Sequence, residues 1–446
     1  MCLQAYIRKH TRHLCELVDC RLMHDLEAEL VSYINGMPPP RMVVVNATCE
    51  SLAEVTAVLD IVKRNFPKIR TVLCGAFPSA FPQQIAEIPW VDFALIGDPE
   101  PILRNLLDYI DVEQRLRRTP GLYLPSAPTP KPYWLPKLHG LALPNWDDHF
   151  LSGYREGAYA SGCRAGIRTT RGHSRAPLDD AYGGMDEPLR QWPLDRVASF
   201  VSRCSHTEVS EVLLVDPPGY WSESILANWT QHLRNARNGQ SWGVMLHPMA
   251  LPESLIIEMQ ETKCHRVDFI FPTCDRELLR EQGIVTDWRE ISGTMEMLSS
   301  MGIRVYPRFW VGGPSSARGD AARIAQTILR FRRVDYSVEP MPCQLDSPLY
   351  VNHCDQSGAP SLQDWIGWAR DPWSKERPTP LWGDETALAD LKKELRTIDK
   401  ALQKNPRMAW TRMKRRFRSR NWIEVLEQKA LSLLHKRNTA ANGSGT

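Results

Sequence analysis

Two side chains able to ligate a metal or move a proton, His173 and Asp180, lie in Thr169-Thr170-Arg171-Gly172-His173-Ser174-Arg175-Ala176-Pro177-Leu178-Asp179-Asp180. An imidazole titrates near neutrality and a carboxylate is an oxygen donor, so the pair has the chemistry of an acid/base couple or of half a metal site. Two ligands fall short of a complete site, and Pro177 between them has no donor atom. A remodelled loop is the alternative reading. The 11 cysteines stand singly, with no C-x-x-C pair, so their spacing builds neither a zinc ribbon nor a ferredoxin-type cluster. Among them Cys343, in Cys343-Gln344-Leu345-Asp346-Ser347-Pro348-Leu349-Tyr350, is a candidate thiol at a substrate, although nothing near it in sequence would depress its pKa. Asp216 ends an apolar run in Val215-Asp216-Pro217-Pro218-Gly219, where an acidic side chain either meets a ligand or anchors a loop.

The elements that must position these residues alternate in type. Short apolar runs at Leu14–Asp19, Met42–Asn46, Thr71–Gly75 and Phe93–Gly97 are separated by helical spacing such as that of Leu52 to Phe66. This alternation predicts a Rossmann-like, doubly wound parallel sheet over residues 1–118, whose ligands bind at the carboxyl ends of its strands. Those ends are Asn46-Ala47-Thr48, Gly75-Ala76-Phe77-Pro78-Ser79 and Gly97-Asp98-Pro99-Glu100. Proline-rich sequence from Pro120 to Pro144 reads as a linker, with bounds at 119–150. The rhythm then resumes over 151–350 at the spacing of a partial TIM-like barrel of six strands. Its expected strands are Tyr159–Ser161, Glu211–Val215, Trp242–Leu246, Val267–Phe271, Arg304–Val311 and Asp335–Val338. A helical extension follows over 351–439, and residues 440–446 read as a disordered tail.

The composition, 43% hydrophobic and 24% charged, is that of a globular protein, and the net charge of +3 does not argue for nucleic acid. No apolar stretch is long enough to cross a bilayer and no cleavable leader is present, so the expectation is a cytoplasmic protein with reduced thiols. A dense basic run from Arg412 to Arg420, interleaved with Trp410, Phe417 and Trp422, reads first as a packed helix and second as a surface for an acidic protein partner.

Taken in order along the chain, these motifs resemble the cobalamin (B12)-dependent radical S-adenosylmethionine (SAM) superfamily. That family carries T-R-G-C-x-x-x-C-x-x-C after its first barrel strand, and its three thiolates hold a [4Fe–4S] cluster. Here Thr170-Arg171-Gly172 is kept, while His173, Pro177 and Asp180 fill the cysteine positions. A second register, starting from Cys163, would put Ile167 and Thr170 at the other ligand positions. Neither register supplies three thiolates, so the resemblance is to a degenerate member without the cluster. It implies cobalamin contacts at Asn46, Thr48, Gly75, Phe77, Ser79, Gly97 and Glu100. It also implies a SAM-backing turn at Gly312-Gly313-Pro314. Pro272 replaces an acidic residue of the family, no D-x-H-x-x-G motif is present, and Gly183-Gly184-Met185 reads as loop closure. Because the chain opens at Met1–Ile7 on what corresponds to the family's first helix, the first strand of the sheet is expected to be missing.

Two functions follow from the resemblance. One is a cobalamin- and SAM-dependent methyltransferase that works by polar displacement, without homolysis at a cluster. The other is a non-catalytic cobalamin-binding protein or a partner of an intact homologue.

Overall fold

The computed structural model describes residues 1–144, 146, 163–172, 188–272, 274, 276–281, 284, 287–311, 320–330, 336–340, 361–370, 393, 396–398 and 400. It opens with α1 (Cys2–His10) and α2 (Leu26–Asn35), the latter capped by Asp25, whose carboxylate accepts the Ala28 N–H. Next come β1 (Met42–Asn46), α3 (Leu52–Asn65), β2 (Arg70–Cys74), the short α4 (Ala76–Ala80) and β3 (Phe93–Leu95). After α5 (Pro99–Tyr109) and α6 (Glu113–Leu116), β4 (Leu122–Tyr123) completes a sheet of order β1-β2-β3-β4. The first three strands are parallel and β4 is antiparallel to β3.

α3 shows why its sequence is a helix. Leu52, Val55, Leu59 and Val62 recur at helical spacing and are buried, and Val58 and Ile61 on the adjoining stripe meet Leu30 and Ile34 of α2.

Two expectations change here. Leu14–Asp19 forms no strand, and Leu14 is 98% exposed. The segment is tied instead to α1, because Gln4 Nε2 and Arg8 Nε both donate to the Cys15 carbonyl. The run between Pro120 and Pro144 is also more than a connection. It supplies β4, and Tyr133 bridges to Gly97, with its amide donating to the Ile96 carbonyl at 2.9 Å.

The second sheet is parallel throughout, with order β12-β11-β10-β9-β8-β5, and curls into a half-barrel. Its chain order is β5 (Cys163–Ile167), the hairpin strands β6 (Thr170–Arg171) and β7 (Arg190–Gln191), α7 (Leu194–Arg203) and β8 (Val209–Leu214). Then follow α8 (Glu223–Asn235), β9 (Trp242–Leu246), α9 (Glu253–Glu261), β10 (Cys264–Phe271) and α10 (Arg276–Glu281). The barrel ends with α11 (Trp288–Ser300), β11 (Arg304–Val311), α12 (Asp320–Arg330) and β12 (Ser337–Pro340). Trp229 of α8 locks that helix to the sheet, meeting Trp221 and Trp242 edge-on at 6.2 and 6.0 Å. Tyr159–Ser161, expected as the first barrel strand, lies outside the described residues.

The last described helix, α13 (Leu362–Arg370), packs on α3 and the loop after β1. Trp365 is fully buried there, 5.3 Å from Phe81. The β2–β3 connection carries only α4 and a 3₁₀ turn, and α13 fills the space a longer helix would take. Further along the expected helical extension, Ile398 is described and joins the main core. The basic run from Arg412 to Arg420 lies outside the described residues.

Candidate functional site

The carboxyl ends of β1, β2 and β3 adjoin, and their loops are stitched to one another. Gly75 has φ +109°, and a Cβ there would sit 2.5 Å from the Ala47 carbonyl and 2.6 Å from Asn46 Oδ1. Gly97, with φ +105°, lies so close under Tyr133 that a Cβ would overlap its backbone. Both glycines therefore give their space to the protein's own chain. Ser79 joins the loops, its hydroxyl donating to the Gly75 carbonyl at 2.9 Å and accepting the Gly97 N–H at 3.0 Å. Phe77 is fully buried, 5.7 Å from Phe81. Asn46 is exposed and Thr48, whose N–H donates to Ser51 Oγ, is half-buried.

Glu100 and Asp98 turn toward the barrel. Arg171, in the hairpin just after β5, donates to both Glu100 oxygens, one of them at 2.9 Å, and to Asp98 Oδ1 at 2.9 Å. Arg190 of β7 pairs with the other Asp98 oxygen and donates to the Leu135 carbonyl at 2.9 Å, while the Leu135 amide donates back to Asp98 at 2.7 Å. Arg171 also lies over Trp192 and Arg190 over Trp134, at 5.2 and 5.6 Å. Burial alone would lower the pKa of Arg171, but the Glu100 and Asp98 carboxylates raise it, so it stays charged. Burial raises the pKa of the neighbouring Cys2 thiol, against the pull of Arg171. The result is a buried four-charge joint between the strand ends of the first sheet and the entrance of the barrel.

Asp216, just past β8, is buried and holds the same entrance from the other side. Its carboxylate accepts from the amides of Thr169 and Thr170 at 2.7 and 2.8 Å and from their hydroxyls at 2.9 and 2.8 Å. Burial raises its pKa, opposed by those hydrogen bonds and by Arg168. Oδ1 accepts three of these bonds and Oδ2 one, so Asp216 works here as an anchor for Thr169-Thr170-Arg171. Beside it, Tyr220 donates to Gln191 Oε1 at 2.9 Å, and burial pushes its pKa up to about 12.

Cys163 and Ile167 are buried in β5 within the core that joins sheet and helices, and Cys163 stands at the amino end of that strand. Cys163 is thus at the end of β5 away from Thr170-Arg171-Gly172, which follows the carboxyl end of that strand. His173, Pro177 and Asp180, the turn Gly312-Gly313-Pro314 and Cys343 lie outside the described residues.

No family model matches the chain, and no curated protein matches it. Solved structures do. The radical SAM methyltransferase TsrM from Kitasatospora setae, solved with tryptophan substrate and a SAM analogue, is 16% identical, covers 80% of this chain and 72% of its own, and gives a TM-score of 0.63. OxsB, a cobalamin-dependent SAM radical enzyme solved with aqua-cobalamin and SAM, is 13% identical over 92% of this chain and 66% of its own, with a TM-score of 0.62. The chain has the fold of the cobalamin-dependent radical SAM enzymes.

Against that fold, the residues present fit the three cofactors unequally. Asn46 and Thr48 offer amide and hydroxyl groups at the strand ends and could hold cobalamin, while Gly75, Phe77, Gly97 and Glu100 are engaged internally. Among the described residues no group of three His, Cys, Asp or Glu side chains could hold a metal, and the positions that correspond to the family's cysteines lie outside them. Sequence reasoning had singled out the T-R-G and G-D-P-E loops but not their contact. The signal was available: both loops follow strand ends, and one carries a cation where the other carries two acids.

Proposed function

We propose that this protein holds cobalamin at the amino-terminal strand ends, near Asn46 and Thr48, and SAM in the barrel, and that it transfers a methyl group to a small molecule without a [4Fe–4S] cluster. The carrying observation is the joint of Arg171 with Glu100 and Asp98, through which the strand-end loop of the first sheet adjoins the strand-end hairpin of the barrel. Two ligand surfaces so adjoined suit a reaction between two cofactors, where orientation supplies much of the rate. When bound, cobalamin supplies a cobalt centre able to take and give a methyl group. The chain's own residues hold the geometry: Asp216 fixes Thr169 and Thr170, and Arg171 fixes the loop after β3. The fold likeness to TsrM and OxsB supports this reading. A cytoplasmic setting belongs to it as well. The described cysteines are free, and no helix among the described residues is long and apolar enough to cross a membrane.

The second reading is a non-catalytic cobalamin-binding protein or partner of an intact homologue. It draws support from Asp216 and Glu100, two candidate site carboxylates that are both occupied by protein groups. One experiment separates the readings. The protein is reconstituted anaerobically with hydroxocobalamin, iron and sulfide, repurified, and examined by visible spectrum and iron assay. It is then given SAM and a reductant. Retained corrin, iron well below one cluster per chain and S-adenosylhomocysteine without 5′-deoxyadenosine are expected from the methyltransferase. Retained corrin with no turnover of SAM supports the binding protein, and no corrin at all overturns both.

A further inference from the structure

The inner face of the half-barrel is charged. Met245, Ile270, Trp310 and Val215 form an apolar cluster of their own, separate from the core under the helices, and so mark the concave side. In register with them on that side lie two ion pairs, Arg164 with Glu211 at 2.9 Å and Arg266 with Asp268. Alternation along β5 carries this face from Arg164 through Gly166 to Arg168, at the carboxyl end of the strand.

Arg168 differs from its neighbours. It is half-buried, its Nε is shielded from solvent, and among the described residues its guanidinium has no hydrogen bond or ion pair. Asp216 is near enough to feel its charge, but the Asp216 oxygens already accept four hydrogen bonds from Thr169 and Thr170. Beneath Arg168 the sheet leaves room. Gly166 is exposed, and a Cβ added there would meet only Val215, at an ordinary 3.6 Å. A half-buried cation whose Nε is cut off from water without a partner gains when an anion completes it.

We propose that Arg168 binds the anionic group, a carboxylate or a phosphate, of the small molecule taken into the barrel. The proposal rests on the barrel being the small-molecule site of the function above and adds the class of molecule. A planar guanidinium matches either group through two parallel N–H donors, which an ammonium does not.

The test uses the full chain without cobalamin or SAM, titrated by calorimetry with inorganic phosphate and, separately, with malonate. Saturable binding of one probe is expected, and the probe that binds identifies the anion. Arg168→Met should weaken it by about tenfold to a hundredfold, the loss that follows from a charge-assisted hydrogen bond, and Arg168→Lys should fall between. Arg304→Met, at an exposed arginine of the opposite strand end of β11, should leave it unchanged. Because Arg168→Met could perturb folding, phenylglyoxal labelling of the wild type provides a second readout, and the bound probe should slow modification of Arg168. Binding of neither probe, equal binding by Arg168→Met, loss on Arg304→Met, or labelling of Arg168 that the probe does not slow would each overturn the proposal. Corrin retention is scored separately, so anion binding at Arg168 without corrin would sink the cobalamin reading and leave this one standing.

Discussion

Among the described residues, the buried Arg190, Asp98 and Glu100 and the half-buried Arg171 compensate one another, helped by the Leu135 main chain and the rings of Trp192 and Trp134. Removing one partner strands the rest, so Glu100→Gln and Arg171→Met should each destabilise the fold by about 3–5 kcal/mol, read as a lower urea midpoint. Arg171→Lys should recover little, since one ammonium cannot reach both oxygens of Glu100 and Asp98 together. Gly75→Ala is expected to cost more than the ~1 kcal/mol of an ordinary glycine exchange, because its Cβ falls 2.5 Å from the Ala47 carbonyl at a positive φ. A corrin assay on Gly75 variants would therefore read folding, and Asn46→Ala is the cleaner probe. His247 gives the pH dependence. Burial pushes its pKa down to about 4 from an ordinary 6.5. As pH falls from 6.5 toward 4 the unfolded chain takes up a proton that the folded one refuses, and stability drops by about 3 kcal/mol. Urea titrations at pH 7 and pH 4.5 should show this drop in the wild type and a smaller one in His247→Gln. At this scale Gly75, Gly97 and Asp216 were legible as special, and Asp216 anchors a loop as one of its two readings had it, but the groups they meet come from Ala47, Tyr133 and Thr169, which no local pattern connects to them.

Elements were legible where burial leaves a linear trace. The strands β9 and β11 lie where they are expected, and β9, buried along its whole length, reads as the near-continuous hydrophobic stretch of a parallel strand covered on both faces. Leu14–Asp19 has similar composition but no sheet neighbour, and composition alone does not record a neighbour. The helix α13 falls within the expected helical extension, but what it packs against was hidden. Trp365 and Leu362 serve a core whose other members, from Ala47 to Tyr123, stand more than two hundred residues earlier in the chain. Trp365→Ala should cost about 3–5 kcal/mol, the range for large aromatic truncations in a packed core. Hydrogen exchange should show the loss as faster exchange in β2 and β3, while the amides of β9 and β10 stay protected. Equal loosening of both sheets would contradict the placement of α13.

Across the whole molecule, one apolar cluster runs from Ile7 of α1 and Leu106 of α5 through Leu138 and Trp146 into the barrel strands. Together with the charged joint it makes the two sheets a single cooperative body, so calorimetry of the wild type should show one unfolding transition. Arg171→Met is expected to broaden that transition or split it in two. The resemblance read from motif order and the likeness to TsrM and OxsB agree at this scale, since both follow the succession of sheet, crossing segment and barrel rather than any one residue. The position of α13 also bears on how the protein is made. Synthesis proceeds from the amino terminus, and domains ordinarily fold as they emerge. Here the first sheet to leave the ribosome lacks part of its core until Trp365 has been added and has cleared the exit tunnel. Until then the nascent chain carries an open hydrophobic face on Phe77 and Phe81. Ribosome-bound chains halted before residue 360 should be cut by protease within the first sheet, and chains released at full length should not.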